Sequence, residues 1–328
     1  MSLLIGFILS FAVSLVLGKL LIPVLRALKA GQSIKEIGPT WHMSKQGTPT
    51  MGGLMFIAGI GIAVLAGGWG EMLRGSYTHL VVYLFALVFG VIGFVDDYEK
   101  VKHHHNTGLT AIQKFLLQLA ASVAFVVLLR YMGILSPNLY IPFWGKELIL
   151  SWPVYMVFAA FVIVGTVNAV NITDGVDGLA SGVTLPVALF YTGVAAWYGY
   201  LEIGTLAAAL AGGLVAFLFY NFHPAKVFMG DTGSLFLGGA VCGLAFALDI
   251  PLVLPIIGAI YVAEVLSDII QVAYFKLTHG KRIFRMAPLH HHFEMGGWSE
   301  VKLFGVFSGI TVLLCLLAFW GVLDKVGV

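Results

Sequence analysis

Leu80 to Lys102 reads LVVYLFALVFGVIGFVDDYEKVK: an uncharged apolar run that ends on the adjacent pair Asp96-Asp97 and then on a charged stretch. Two neighbouring carboxylates at the edge of a membrane-type segment are costly to desolvate unless a cation or proton compensates them. The same kind of edge recurs along the chain. It appears in Asn168-Ala169-Val170-Asn171-Ile172-Thr173-Asp174-Gly175-Val176-Asp177, in Gly230-Asp231-Thr232-Gly233, and at His290-His291-His292. A membrane protein that keeps its polar chemistry at one rim accounts for all four.

Composition agrees. Of 328 residues, 59% are hydrophobic and 10% charged, against roughly 25% charged in a soluble domain. The net charge of +2 is too small to argue for a nucleic-acid partner. Cys242 and Cys315 both fall inside apolar runs, which excludes a disulfide framework. The first run has no basic segment before it and no small-residue cleavage site, so it reads as a retained helix.

Ten apolar runs follow: Leu3–Leu25, Met51–Gly68, Leu80–Val95, Ile112–Tyr131, Trp152–Val170, Leu179–Tyr198, Ile203–Phe222, Ser234–Leu248, Leu252–Leu277 and Val301–Val322. They predict an all-α polytopic membrane protein of about ten spanning helices, forming one domain over residues 1–328. Pro23 and Pro186 are expected to kink their helices or mark their ends. The run Leu252–Leu277 follows Pro251 and Pro255, carries Glu264 and Asp268, and is expected to bend. Between the fourth and fifth runs, residues 140–148 predict a small extracytoplasmic hairpin around Trp144-Gly145.

Lys and Arg set the orientation. Thirteen of them (Arg26, Lys29, Lys35, Lys45, Lys100, Lys102, Lys114, Lys226, Lys276, Lys281, Arg282, Arg285 and Lys302) lie on one side, and four (Arg74, Arg130, Lys146 and Lys325) on the other. The first side is expected in the cytoplasm, with both termini outside. Every polar motif then faces the cytoplasm.

Asp96, Asp97, Asp174, Asp177 and Asp231 come from three connections that meet only if the helices bundle. Carboxylates from separate elements are how proteins hold Mg²⁺, with water and substrate phosphate completing its coordination. Asp174 has a second reading as the cap of the helix after Gly175. Gly230-Asp231-Thr232-Gly233 precedes a helix expected from Ser234, whose amides could meet an anion. Lys45, Lys100 and Lys114 supply positive charge for phosphate, while Lys29, Lys35 and Lys102 read as topology signals. His103-His104-His105 reads as a solvated face. Three adjacent ligands cannot all reach one tetrahedral metal, so His290-His291-His292 is a poor zinc site but a fair phosphate or sugar contact. Gly-x-Ser-x-Gly, Walker A and His-Glu-x-x-His motifs are absent, which excludes the corresponding hydrolases and ATPases.

Taken together, Asp96-Asp97-Tyr98, the Asn168 to Leu179 segment, Phe228-Met229-Gly230-Asp231-Thr232-Gly233-Ser234 and Ala287-Pro288-Leu289-His290-His291-His292-Phe293-Glu294 resemble the polyprenyl-phosphate N-acetylhexosamine-1-phosphate transferases. The Ser44 to Gly53 and Ala287 to Glu294 segments resemble the muramoyl-pentapeptide branch of that superfamily. The resemblance implies Mg²⁺-dependent transfer of phospho-MurNAc-pentapeptide from UDP-MurNAc-pentapeptide to undecaprenyl phosphate, giving lipid I and UMP for peptidoglycan. It implies a multi-pass protein of the bacterial cytoplasmic membrane, and a homodimer.

By the same resemblance Asp96, Asp97, Asp231 and His290 are catalytic, with Asp231 on the metal. Asp96 and Asp97 either prepare the acceptor phosphate or organise the metal, and a one-step transfer and a covalent aspartyl route both stay open. Lys45, Lys100, Lys114, Asn168, Asn171, Asp174, Asp177, Asn221, Phe228, His291 and His292 fall to substrate binding. Phe228 either stacks on uracil or packs against lipid. Two other functions compete. A UDP-N-acetylglucosamine:undecaprenyl-phosphate transferase would share the aspartates, and a secondary transporter would use Glu264 and Asp268 as its pathway.

Overall fold

The apolar runs become helices because a membrane core offers their backbone no other hydrogen-bond partner. A computed structural model describes residues 1–28, 45, 47–103 and 108–327 of the chain. Its helices are α1 (Ser2–Ala27), α2 (Gly53–Gly67), α3 (Trp69–Leu73), α4 (Thr78–His103), α5 (Ala111–Tyr131), α6 (Trp152–Thr173), α7 (Leu179–Tyr198) and α8 (Leu201–Asn221). They continue as α9 (Gly230–Ala247), α10 (Leu254–Ile257), α11 (Ala259–Leu277), α12 (Leu289–Glu294) and α13 (Glu300–Val322). All ten predicted runs are helical. Lys29, Lys35, His104 and His105 lie outside the described residues.

Among the described residues eight helices are long and apolar enough to cross a membrane, and nine if the bent pair Pro251–Ile257 plus Ala259–Leu277 counts as one span. The expected tenth, α2, has only 15 residues. At 1.5 Å per residue it covers about 22 Å, short of a core of roughly 30 Å. The chain breaks at Gly68 and resumes as the short α3. The expected bend in the ninth run is there, at 77°. Pro23 and Pro186 neither end nor break α1 and α7, which run on past them.

The hairpin also forms. Strands β1 (Asn138–Ile141) and β2 (Lys146–Ile149) pair antiparallel, with Ile141 opposite Lys146. Phe143 and Gly145 turn the chain at φ 69° and 59°. At the same end of the bundle, the Lys325 ammonium meets Asp249 and the carbonyl that closes α9 at Leu248.

Close helix contact rests on missing side chains. Helices α4 and α9 run antiparallel, with Gly93 against the Asp231 carbonyl, Gly90 against Phe236, Gly239 against Phe89 and Gly243 against Val82. Helix α1 lies parallel to α8, its Gly6 on Thr205 and its Gly18 on Tyr220. Small residues let backbones approach where lipid supplies no hydrophobic drive. The core behind them is aromatic and aliphatic, including Phe56, Phe89, Phe217 and Phe236, all essentially unexposed.

This packing brings the C-terminal ends of α4, α6 and α8 to one rim, together with the N-terminal ends of α5, α9 and α13. A Cβ at Gly93 would collide with the Asp231 backbone, whereas one at Gly165 meets open space. Gly93→Ala should therefore cost about 1–3 kcal/mol by overpacking, while Gly165→Ala should leave stability unchanged or raise it slightly. Thermal unfolding of the two variants in detergent checks this. Equal melting temperatures would refute the role given to the α4–α9 contact.

Candidate active site

Asp96 and Asp97 are buried in the last turns of α4, and Asp231 sits in the first turn of α9. Oxygens of all three lie within 4.8 Å of one another. Like charges this close repel strongly in a low dielectric, so the surroundings must compensate. Lys100, one turn beyond Asp96 on α4, reaches Asp96 at 2.6 Å and Asp231 at 2.9 Å. Lys114, from the first turn of α5, reaches the same Asp231 oxygen at 2.9 Å and Asp96 at 3.3 Å. The Leu109 amide donates to the other Asp96 oxygen. That connection is held by a capping box in which Thr110 and Gln113 satisfy each other's backbone amides.

Asp97 is neutralised differently. Its carboxylate accepts from the backbone amides of Asp231 (3.2 Å) and Thr232 (2.9 Å) and from the Thr232 hydroxyl (2.7 Å). An anion was expected at these amides, and it is the protein's own carboxylate. Helix α9 begins at Gly230, not at Ser234, so the Gly-Asp-Thr-Gly motif is its first turn rather than its approach. Gly230 takes φ 70°, and a Cβ there would strike Asp97. Only glycine lets the carboxylate reach the helix start.

Asn171, near the end of α6, donates to the remaining Asp231 oxygen at 2.8 Å and to Ser234 at 2.7 Å. Asn168, one turn earlier, donates to Gln118 and to the Val164 carbonyl. It braces α6 against α5 rather than facing the aspartates. Asp231 keeps 19% of its side chain exposed, against 3% for Asp96. It is the open member of the three. The donors are oxygens throughout, the set that suits a hard divalent cation.

Lys45 does not join Lys100 and Lys114 as its grouping with them predicted. Its ammonium contacts Asp177 at 2.7 Å and Glu300 at 2.6 Å. Asp177 also accepts from the Ala225 amide and meets His223 Nδ1 at 3.0 Å, and Glu300 accepts from the Asp177 amide. This second cluster joins the approach to α2, the α6–α7 turn, the α8–α9 connection and the start of α13. A cavity of about 610 Å³ opens beside it, lined by Lys45, Thr48, His223, Trp298 and Glu300 among others. His223 and Glu300 escaped the sequence reading. Glu300 opens an apolar helix directly after Ser299, the same acid-at-an-edge signal that marked Asp96.

Asp174 stands between the clusters. It follows the last residue of α6, while α7 is preceded by Gly178 with no side-chain cap, so the capping alternative for Asp174 fails. Burial, then the carboxylates of Asp231, Asp97 and Asp177, push its carboxyl well above the usual range against the pull of Lys45. Gly178, at φ 76°, makes the turn that leaves Asp174 and Asp177 at the rim.

Asn221 is buried, with its amide oxygen accepting from Gly178 N–H and its nitrogen donating to the Val227 carbonyl. It shapes the turn from behind. Phe228 is half-buried, its backbone paired with Pro49 and Gly52, which fastens the Thr48 to Gly53 segment to the start of α9.

The histidine triplet divides. His290 is buried, bonded to Glu264 and set against Gly175. His291 bonds to Glu294 at 2.6 Å, and His292 Nδ1 accepts from the Arg285 amide. Of the first triplet, His103 extends α4 and pairs with Glu99 on the surface.

Comparison with known proteins adds the family. The model of glycosyl transferase family 4 matches residues 79–249, just over half of the chain. Signature 1 of phospho-N-acetylmuramoyl-pentapeptide-transferase matches residues 45–57. Proteins of that name from Clostridium acetobutylicum and Acetivibrio thermocellus are 48% and 49% identical to this chain. The first alignment covers 95% of this chain and 96% of the relative, the second 96% and 93%. One from Heliobacterium modesticaldum is 49% identical over 97% of this chain and 96% of its own length. These relatives favour neither the N-acetylglucosamine donor nor the transporter. The chain belongs to the phospho-N-acetylmuramoyl-pentapeptide-transferase family.

Proposed function

We propose that the rim built by Asp96, Asp97, Asp231, Lys100 and Lys114 transfers phospho-MurNAc-pentapeptide from UDP-MurNAc-pentapeptide to undecaprenyl phosphate, releasing UMP and forming lipid I. The observation that carries the reading is the convergence of two ammonium groups on the one carboxylate left open, Asp231, at 2.9 Å each. Two lysines there match a pyrophosphate donor, and the rim position matches an acceptor that arrives through the membrane.

The proposed metal is Mg²⁺, held by Asp231 with Asp96 and Asp97 beside it. When bound, it would offset negative charge on the donor pyrophosphate as the phosphate bond breaks. Lys100 and Lys114, already paired with Asp96 and Asp231, would take up phosphate charge beside them. Asn171 fixes the Asp231 carboxylate through one oxygen and leaves its orientation little freedom. Asp97, locked on three donors, holds the first turn of α9 and acts by positioning. A lipid phosphate near pH 7 is already largely ionised, so electrostatic placement contributes more here than proton abstraction.

The nucleotide part of the donor is assigned to the cavity beside Lys45, with Asp174 and Asp177 on the adjoining turn, and Phe228 is assigned to the base. His291 and His292, on the short helix α12, are assigned to the sugar and peptide. The active rim is assigned to the cytoplasmic face and both termini to the opposite face, following the thirteen-to-four bias of basic residues. A homodimer in the bacterial cytoplasmic membrane completes the proposal.

Purified protein should release UMP only when UDP-MurNAc-pentapeptide, undecaprenyl phosphate and Mg²⁺ are all present. Asp231→Asn should lower that rate by about 100-fold or more. Turnover with UDP-N-acetylglucosamine in place of the muramoyl donor would overturn the assigned donor.

Lys45→Met leaves Asp177 and Glu300 facing each other without their shared cation. It should raise the KM for the anionic donor about tenfold, with the KM for undecaprenyl phosphate unchanged. Steady-state kinetics with each substrate varied in turn checks this, and a change confined to the acceptor would refute the nucleotide assignment.

A further inference from the structure

Glu264 is an acid that the transfer reaction, as derived above, does not use. It lies in the second turn of α11, just past the 77° bend, with no exposed surface. An ionisable side chain in an apolar helix is costly, and its partner indicates its purpose. Here the partner is His290. One Glu264 oxygen accepts from His290 Nδ1 at 3.0 Å and from the His290 backbone amide at 3.3 Å. A carboxylate offers only acceptors, so this bond places the ring proton on Nδ1.

That choice directs the other ring nitrogen. Nε2 is buried without a hydrogen-bond partner and lies against Gly175, where a Cβ would collide with it. Gly175 follows Asp174 and precedes Asp177 by two residues. Glu264, His290 and Gly175 thus form a continuous contact from the bent helix to the turn bearing both acids. A hydrophobe at position 264 would pack α11 at less cost but would leave the ring free to rotate.

We propose that Glu264 is a positioning residue of the transfer reaction, fixing His290 so that its ring edge supports the 174–178 turn in the shape that receives the donor. The proposal rests on the assignment of that turn to the donor. It gives Glu264 a role in binding one substrate and none in binding the other.

The test uses the full-length protein in detergent and the UMP-release assay, with each substrate varied in turn. Glu264→Leu removes the acceptor at similar volume. Glu264→Gln keeps a carbonyl oxygen able to accept both bonds. Gly175→Ala pushes the ring from its far side and leaves position 264 intact.

Glu264→Leu and Gly175→Ala should each raise the donor KM about tenfold with the acceptor KM unchanged, and Glu264→Gln should stay within about threefold of wild type. A purely structural role would instead lower the melting temperature and move both KM values, or kcat alone. Equal behaviour of the Leu and Gln variants, or an equal rise in acceptor KM, overturns the proposal. Should the Leu variant fail to fold, a wild-type donor KM in Gly175→Ala overturns it alone. Wild-type protein that releases no UMP would refute the transfer assignment itself, and this inference with it.

Discussion

Three carboxylates with oxygens inside 4.8 Å are the constraint on which the rim is built. Left alone they would not all stay ionised, since like charges at that range in a low dielectric force a proton onto one of them. The chain answers with two devices. Lysines from α4 and α5 pair with Asp96 and Asp231, and the first turn of α9 lends its amides to Asp97. Both devices depend on helix ends meeting. The C-terminus of α4, the N-terminus of α5 and the N-terminus of α9 must arrive within a hydrogen bond of one another.

That meeting is made by glycine. Gly93 lets α4 touch the Asp231 backbone, Gly53 lets the start of α2 touch Gly233, and Gly230 lets Asp97 reach the amides. Each is a place where a methyl group would push apart two segments that meet at the charged rim. The geometry of the charged rim and the packing of the helices are therefore one problem here: the residues that let helices approach also set the distances between ions.

Much of this was legible in the sequence, and the reasons differ by residue. Asp96, Asp97 and Asp231 announced themselves because acids at the edge of an apolar run are expensive, and their common rim was read from the bias of the basic residues. Lys100 was legible from its place one turn beyond the acidic pair. Lys45 was legible as a rim lysine, but its partners were not, because spacing along the chain says nothing about which rim loop it meets. Its partners Asp177 and Glu300 lie 132 and 255 residues away. The family resemblance that gave Asn168 and Asn221 to substrate carried no sign of their protein partners, Gln118 and the Val164 carbonyl for Asn168, the Gly178 amide and the Val227 carbonyl for Asn221. The three histidines looked equivalent in sequence and are not, because a six-residue helix turns one of them inward to Glu264.

The two clusters also explain why the rim is divided. A nucleotide-sugar donor carries its reacting phosphate at one end and its base at the other, so one compact charge cluster cannot hold both. Lys100 and Lys114 converge on Asp231, while Lys45 serves Asp177 and Glu300 some distance along the same turn. Asp174 sits in the electrostatic reach of both, held above the ordinary carboxylate range first by burial and then by the acids around it. The turn from Asp174 to Gly178 is the element that lies between the two clusters, and its shape sets how they sit relative to one another. Gly178 and Asn221 hold it from one side, and His290 lies against it from the other.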